Sequence, residues 1–125
     1  MRKLAWAVIG FSLVFSFHAG LAFAGKSAVS IDAPQTAQKG SEVTIKITAT
    51  HNANSALHYT QWLKVMVNQK EVSRWEFSSG KRPEGEVFAR EVKLMAVENM
   101  DVVAEASCNI HGSAGPATTK ISVRD

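Results

Sequence analysis

The sequence predicts an all-β domain, and three observations support that prediction. Apolar residues alternate with polar ones over short runs, as at Val43, Ile45 and Ile47, which is the period of a half-buried strand. About seven such runs follow residue 24, and turn residues separate them. Helical periodicity is weak, with residues 92–100 as the one ambiguous patch. Short strands with frequent turns are typical of an antiparallel immunoglobulin-like β-sandwich, so we expect that fold over residues 25–125.

The predicted strands follow one another at short intervals. Pro34, Lys39-Gly40 and residues 68–70 mark the first turns, because proline, glycine and asparagine favour turn conformations. A loop rich in glycine, serine and proline covers residues 78–85. We expect Trp62 and Trp75 to pack in the core. In chain order, the strands are expected at residues 29–31, 43–47, 62–67, 72–77, 87–95, 102–107 and 119–123.

Residues 1–24 have the pattern of a secretory signal peptide. Arg2 and Lys3 form a basic start, residues 4–17 are almost wholly apolar, and residues 22–24 (Ala-Phe-Ala) fit the small-x-small cleavage pattern. The alternative is an uncleaved membrane anchor, but the apolar run is shorter than the roughly 20 residues that a spanning helix needs. We therefore expect a periplasmic or otherwise exported protein that begins at Gly25 and has no membrane attachment after cleavage.

Composition argues against several classes of function. The chain has 14 basic and 11 acidic residues, and removal of Arg2 and Lys3 with the leader would bring these close to balance. Such a balance gives no reason to expect nucleic acid or an anionic membrane as a partner. No nucleophile motif of a Ser–His–acid hydrolase is present. The single cysteine excludes an internal disulfide, and a free thiol in an oxidising compartment is a liability unless a metal occupies it.

That cysteine lies in the segment Cys108-Asn109-Ile110-His111-Gly112. Cysteine and histidine in one turn can reach the same metal ion, and thiolate with imidazole suits iron, copper or zinc. Two further histidines, His51 and His58, bracket a small polar loop that can aim both rings at one point. Each residue alone is more often an ordinary core or surface group. As a set they form a candidate metal site, because a sandwich gathers its loops at two ends.

Two motifs taken together carry a family resemblance. His58-Tyr59-Thr60-Gln61-Trp62 and the cysteine segment from Cys108 to Gly112 resemble the iron domain of the superoxide reductases, the neelaredoxins and desulfoferrodoxins. The resemblance spans nearly all of the chain after residue 24. It implies an immunoglobulin-like sandwich with mononuclear non-haem iron that reduces superoxide to hydrogen peroxide, with electrons from an external donor protein. By matching motif, it implies axial Cys108 and three equatorial histidines: His51, His58 and His111.

The start of the domain departs from the family's pattern. The family usually opens with Glu-Lys-His, and Gly25-Lys26-Ser27 stands in that place here. Lys26 matches the family's lysine, which implies a catalytic role in attracting the superoxide anion. Ser27 stands where a fourth histidine ligand is expected. We expect Ser27 to lie beside the metal, with water in the vacant ligand position.

Two other classes of function stay open. A periplasmic copper or iron electron carrier can use a similar sandwich, and blue-copper sites combine histidine, a Cys-x-x-His pair and a later methionine. Here no methionine follows Cys108. A non-catalytic metal-binding module would have four filled ligand positions and none open. The sequence identifies neither the electron donor nor the oligomeric state, so a homo-oligomer also stays open.

Overall fold

A computed structural model describes residues 25–125, which form eight β-strands in two packed sheets. One sheet has the strand order β1-β3-β6 and the other has the order β2-β8-β7-β4-β5. This arrangement confirms the predicted all-β sandwich. The predicted signal peptide lies outside the described residues and stays a prediction. The strands are β1 (Ala28–Asp32), β2 (Thr36–Gln38), β3 (Glu42–Thr50), β4 (Thr60–Val67), β5 (Lys70–Glu76), β6 (Val87–Met95), β7 (Met100–Cys108) and β8 (Ala117–Arg124).

Strand β2 corrects the expectation of seven wholly antiparallel strands. It is three residues long and pairs in parallel with β8, whereas every other ladder among the described strands is antiparallel. Three residues are too few for a period of two to be visible. The patch with ambiguous periodicity is not helical, because its first half belongs to β6 and a bend then leads into β7. Residues 25–125 contain no helix that is long and apolar enough to cross a bilayer.

The core lies between the sheets and follows the alternation of the strands. On β3 every second residue from Val43 to Ala49 is buried, and on β7 the same holds from Met100 to Cys108. Burying these apolar faces removes them from water, which is the main driving force for packing two sheets together. The large apolar side chains that are fully buried are Ile45, Ile47, Leu63, Val65, Val102 and Ile121.

Trp62 is not part of this core, so that expectation is wrong. A bulge between Thr60 and Trp62 shifts the pairing of β4 with β7, and both Thr60 and Leu63 are buried as a result. Trp62 faces outward, with its ring centroid 5.1 Å from the Lys64 ammonium and 5.5 Å from the Arg74 guanidinium. Both contacts are cation–π interactions. The other predicted core tryptophan, Trp75, is partly buried against the core as expected.

Candidate metal centre

Three loop segments meet at one end of the sandwich. The last residue of β3 pairs with the first residue of β1, and the first residue of β4 pairs with the last residue of β7. A parallel bridge between Ser27 and Ser113 then joins the start of β1 to the loop after β7. The strand pairing therefore brings together residues 25–27, 51–59 and 109–113.

Strand alternation turns two of the predicted ligands inward. Cys108 is the last buried position of β7, and His51 follows β3 directly and continues its buried face after Ala49. Each of these two candidate ligands is only 3% exposed. His58 is half-buried and His111 is exposed. Burial thus decreases from His51 and Cys108 towards His111, which leaves one side of the site open to solvent.

The structure brings all four predicted metal ligands together, and we name them the His₃Cys cluster. His58 Nε2 lies 3.2 Å from His51 Nε2 and 3.1 Å from His111 Nδ1. Cys108 Sγ lies 4.0 Å from His111 Nδ1. The ligating atoms of the first two histidines and the cysteine all lie within 4.8 Å of one another. His51, His58 and Cys108 therefore form the compact part of the cluster, and His111 lies at its exposed edge.

These distances suit a metal ion better than a network of hydrogen bonds. A neutral imidazole has one ring N–H and one free lone pair, yet His58 Nε2 has two histidine nitrogens at hydrogen-bond distance. That single atom cannot make a good hydrogen bond to both. Nitrogen ligands at about 2.0–2.1 Å from a metal and at right angles are about 3 Å apart, close to the observed distances. The donor set therefore fits a mononuclear metal.

The cysteine turn prepares the sulfur for a metal. The backbone N–H groups of Ile110 and His111 both donate to Cys108 Sγ at 3.4 Å. Such donors stabilise negative charge on the sulfur and tune how strongly it donates to a metal. Gly112 closes the turn with reciprocal backbone hydrogen bonds to Cys108. Its φ of 78° lies in the left-handed region, which glycine adopts without steric cost.

Burial sets the protonation state of His51. Removal from water lowers the pKa of His51 below its ordinary value of 6.5, because burial disfavours the charged imidazolium. The carbonyl oxygen of Gly25 acts in the opposite direction as a hydrogen-bond acceptor, while His58 and His111 lower the pKa further by charge repulsion. The net effect is a neutral imidazole at neutral pH, which is the form that binds metals.

The desulfoferrodoxin family model matches residues 23–113, which is well over half of the chain. The chain belongs to the desulfoferrodoxin family. This match covers the described strands from β1 to β7 and every residue of the His₃Cys cluster. No curated protein sequence matches this desulfoferrodoxin-family chain significantly.

Solved structures share the fold of this desulfoferrodoxin domain. The superoxide reductase (neelaredoxin) of Ignicoccus hospitalis aligns with a TM-score of 0.67 and 19% identity over 79% of this chain and 82% of that chain. A candidate superoxide reductase from Thermotoga maritima aligns with a TM-score of 0.61 and 24% identity over 78% and 86%. A CARDB domain from Pyrococcus furiosus aligns with a TM-score of 0.61 at only 13% identity over 78% and 91%. At these identities the likeness establishes the sandwich fold.

Ser27 of the desulfoferrodoxin domain lies near the cluster but bonds elsewhere. Its backbone N–H donates to Gly112 O at 3.2 Å, and its carbonyl accepts from Ala114 N at 2.9 Å, so this segment packs against the cysteine turn. The side chain is fully buried, and its oxygen lies 2.7 Å from Thr60 Oγ1. The hydroxyl is therefore engaged with Thr60 rather than with the imidazoles.

Gly25 is a feature of the site that the sequence did not reveal. Its carbonyl oxygen lies 3.2 Å from His51 Nε2 and 3.4 Å from His58 Nε2. A Cβ atom on residue 25 would lie 2.8 Å from His111 Nδ1. Any side chain on residue 25 would therefore displace the His111 ring, and glycine avoids this collision. The only signal in the sequence is the replacement of the family's glutamate by glycine in the opening motif.

Asn109 fixes His58 relative to the cysteine turn. Its Oδ1 accepts from Tyr59 N at 3.0 Å, and its Nδ2 donates to Leu57 O at 3.1 Å. These bonds hold both neighbours of His58. We expect Asn109→Ala to lower the affinity for Fe²⁺ by about 10–100-fold, the usual cost of removing a group that orients a ligand. Anaerobic titration against a competing chelator measures the change.

The matched variant is Asn109→Asp, which keeps the acceptor for Tyr59 N, loses the donor to Leu57 O and adds a negative charge 3.8 Å from Cys108 Sγ. Its Fe²⁺ affinity should exceed that of Asn109→Ala, because the bond to Tyr59 N remains and the added charge attracts the cation. An unchanged affinity in Asn109→Ala would mean that the loop holds His58 without help from this side chain.

Proposed function

We propose that the protein is a superoxide reductase that holds one non-haem iron ion at the His₃Cys cluster. It reduces superoxide to hydrogen peroxide with electrons from an external donor protein. The observation that carries the proposal is the convergence of three imidazole nitrogens and one sulfur at the open end of a desulfoferrodoxin-family sandwich. When bound there, iron would supply the single electron that superoxide takes up. The leader pattern supports export, and therefore action in the periplasm.

The protein's own residues would prepare that chemistry in three ways. The buried His51 stays neutral at neutral pH, so one of its ring nitrogens has a lone pair available for a metal. Two backbone N–H groups donate to Cys108 Sγ and would help to hold a metal-bound thiolate. The exposed position of His111 leaves a side of the cluster that a small anion can approach from water. An open side is what distinguishes a catalytic metal site from a closed structural one.

Metal analysis and product stoichiometry test the proposal together. Protein purified without added metal should contain about one iron per chain, as one set of ligands implies. In the presence of a reductant, it should form one hydrogen peroxide for each superoxide consumed. Dismutation would form half as much peroxide and release dioxygen. Zinc in place of iron would favour the binding-module alternative, and neither the ligand set nor the sequence after Cys108 favours a copper carrier.

We further propose that Lys26 attracts superoxide to the cluster. Lys26 is exposed and directly follows Gly25, whose carbonyl lies against His51 and His58. A cation beside the approach path raises the rate of anion encounter. We expect Lys26→Gln to lower the second-order rate constant for superoxide consumption about tenfold at low salt. Rapid kinetics after a superoxide pulse, repeated across ionic strengths, measures the effect.

Lys120→Gln is the matched control, because it changes the net charge equally. Lys120 is paired with Asp101 near the start of β7, whereas Cys108 ends that strand. The control variant should consume superoxide at nearly the wild-type rate. Equal slowing of the two variants would show that net charge matters and that Lys26 has no local role.

A further inference from the structure

The carbonyl oxygen of Gly25 lies among the metal-binding nitrogens. It is 3.2 Å from His51 Nε2 and 3.4 Å from His58 Nε2. The two nitrogens are themselves 3.2 Å apart, so the three atoms form a nearly equilateral triangle. Oxygen and nitrogen donors bound to one metal at about 2.0–2.2 Å, at right angles, are about 3 Å apart. The triangle therefore has close to the dimensions of three adjacent ligand positions.

Hydrogen bonding alone does not account for this triangle. A carbonyl oxygen only accepts, so two good bonds to Gly25 O would need an N–H on both Nε2 atoms. With a hydrogen on both Nε2 atoms, neither His51 nor His58 could accept a hydrogen bond from the other at that contact. If His51 instead donates to His58, the lone pair of His58 is used and its Nε2 has no hydrogen for the carbonyl. A cation at the centre would satisfy all three lone pairs at once.

The backbone holds residue 25 in this place. Two residues further on, Ser27 N donates to Gly112 O and Ser27 O accepts from Ala114 N, which ties the segment to the turn that carries Cys108. A side chain on residue 25 would collide with the His111 ring, since its Cβ would lie 2.8 Å from Nδ1. Glycine therefore lets the main chain approach the imidazoles more closely than any other residue could.

We infer that the main-chain carbonyl oxygen of Gly25 is a further ligand to the metal of the His₃Cys cluster, an inference that rests on the proposed metal site. The donor set then becomes three imidazoles, one thiolate and one neutral oxygen. Carbonyl oxygen is a hard donor, which suits Fe²⁺ better than the soft cuprous ion. The Ser27 hydroxyl is engaged with Thr60, so the main-chain oxygen of Gly25 supplies a ligand that the Ser27 side chain does not.

The direct test is a crystal structure of the protein loaded anaerobically with Fe²⁺. We expect Gly25 O within about 2.3 Å of the iron, a bonding distance for an oxygen ligand. An oxygen beyond about 3 Å, with the imidazoles and the thiolate bound, would overturn the inference and leave the metal site standing. Failure of the protein to bind any iron would overturn the proposed function, and the inference with it.

A pair of glycine variants tests the same point in solution. A Cβ on residue 25 would lie 2.8 Å from His111 Nδ1, whereas nothing lies within 4 Å of a Cβ on residue 40. We expect Gly25→Ala to weaken Fe²⁺ binding at least about tenfold and Gly40→Ala to leave it unchanged. Thermal unfolding of the two metal-free variants verifies that both are folded. Equal Fe²⁺ affinities for the two variants would overturn the inference.

Discussion

Cys108→Ser is expected to abolish the visible charge-transfer absorption of the ferric protein and to lower Fe²⁺ affinity by more than about 100-fold. The absorption arises from electron transfer out of filled sulfur orbitals, and a serine oxygen holds its electrons too tightly to replace it. Loss of a group that only orients a ligand already costs about 10–100-fold, so loss of the ligand itself should cost more. Serine is close to cysteine in size, so it should fit this 3% exposed position.

Absorption spectroscopy of the oxidised protein and anaerobic Fe²⁺ titration measure the two effects. Ser107→Ala is the control, because residue 107 is the neighbouring position on the opposite face of β7. That variant should keep both the absorption band and the affinity. If Cys108→Ser retains the band at full iron occupancy, Cys108 is not a ligand and the proposed iron site is wrong.

The period of two in the strands predicts a large part of both the fold and the site. Val43, Ile45, Ile47 and Ala49 form the buried face of β3, and His51 continues that face beyond the strand. Cys108 ends the buried face of β7 in the same way. The inward orientation of two candidate ligands therefore follows from alternation alone. The convergence of the two strand ends follows from the antiparallel order of a sandwich, in which loops gather at the ends.

Other features leave no such periodic signal. The bulge before Trp62 changes which face the tryptophan occupies, and a pattern of alternation cannot reveal an inserted residue. Strand β2 is too short to show a period. The approach of Gly25 O to the imidazoles involves a main-chain atom, which every residue has. The sign of this approach is the need for glycine at residue 25. That need is visible only in the folded structure, where a Cβ would collide with the His111 ring.

The relative importance of the three histidines is likewise a property of the folded structure. Motif matching assigns all three as equatorial ligands, whereas the structure distinguishes them by burial and position. His58 contacts both of the other histidines, His51 is buried, and His111 lies exposed at the edge. Variants of the three should therefore differ in Fe²⁺ affinity, and the difference can be measured.

His58→Ala is expected to cause the largest loss of Fe²⁺ affinity among the histidine variants. The loss should exceed about 100-fold, because removing a group that only orients a ligand already costs about 10–100-fold. His58 belongs to the compact group with His51 and Cys108, and its Nε2 is the only ring nitrogen within 3.2 Å of two others in the described cluster. His111→Ala should cost less, because an exposed position allows water to replace the lost ligand. Fe²⁺ titration of the two variants, with circular dichroism to verify the fold, tests this order.

Rescue by added imidazole separates loss of a ligand from loss of structure. His58 is half-buried, so imidazole from solution should enter the space left in His58→Ala and restore part of the Fe²⁺ affinity and of the charge-transfer band. His51 is only 3% exposed, so His51→Ala should respond far less to the same concentration. This contrast follows from burial, since both variants lose the same donor atom. Equal rescue of the two variants, or none in His58→Ala, would contradict the assignment of His58 as the central, accessible ligand.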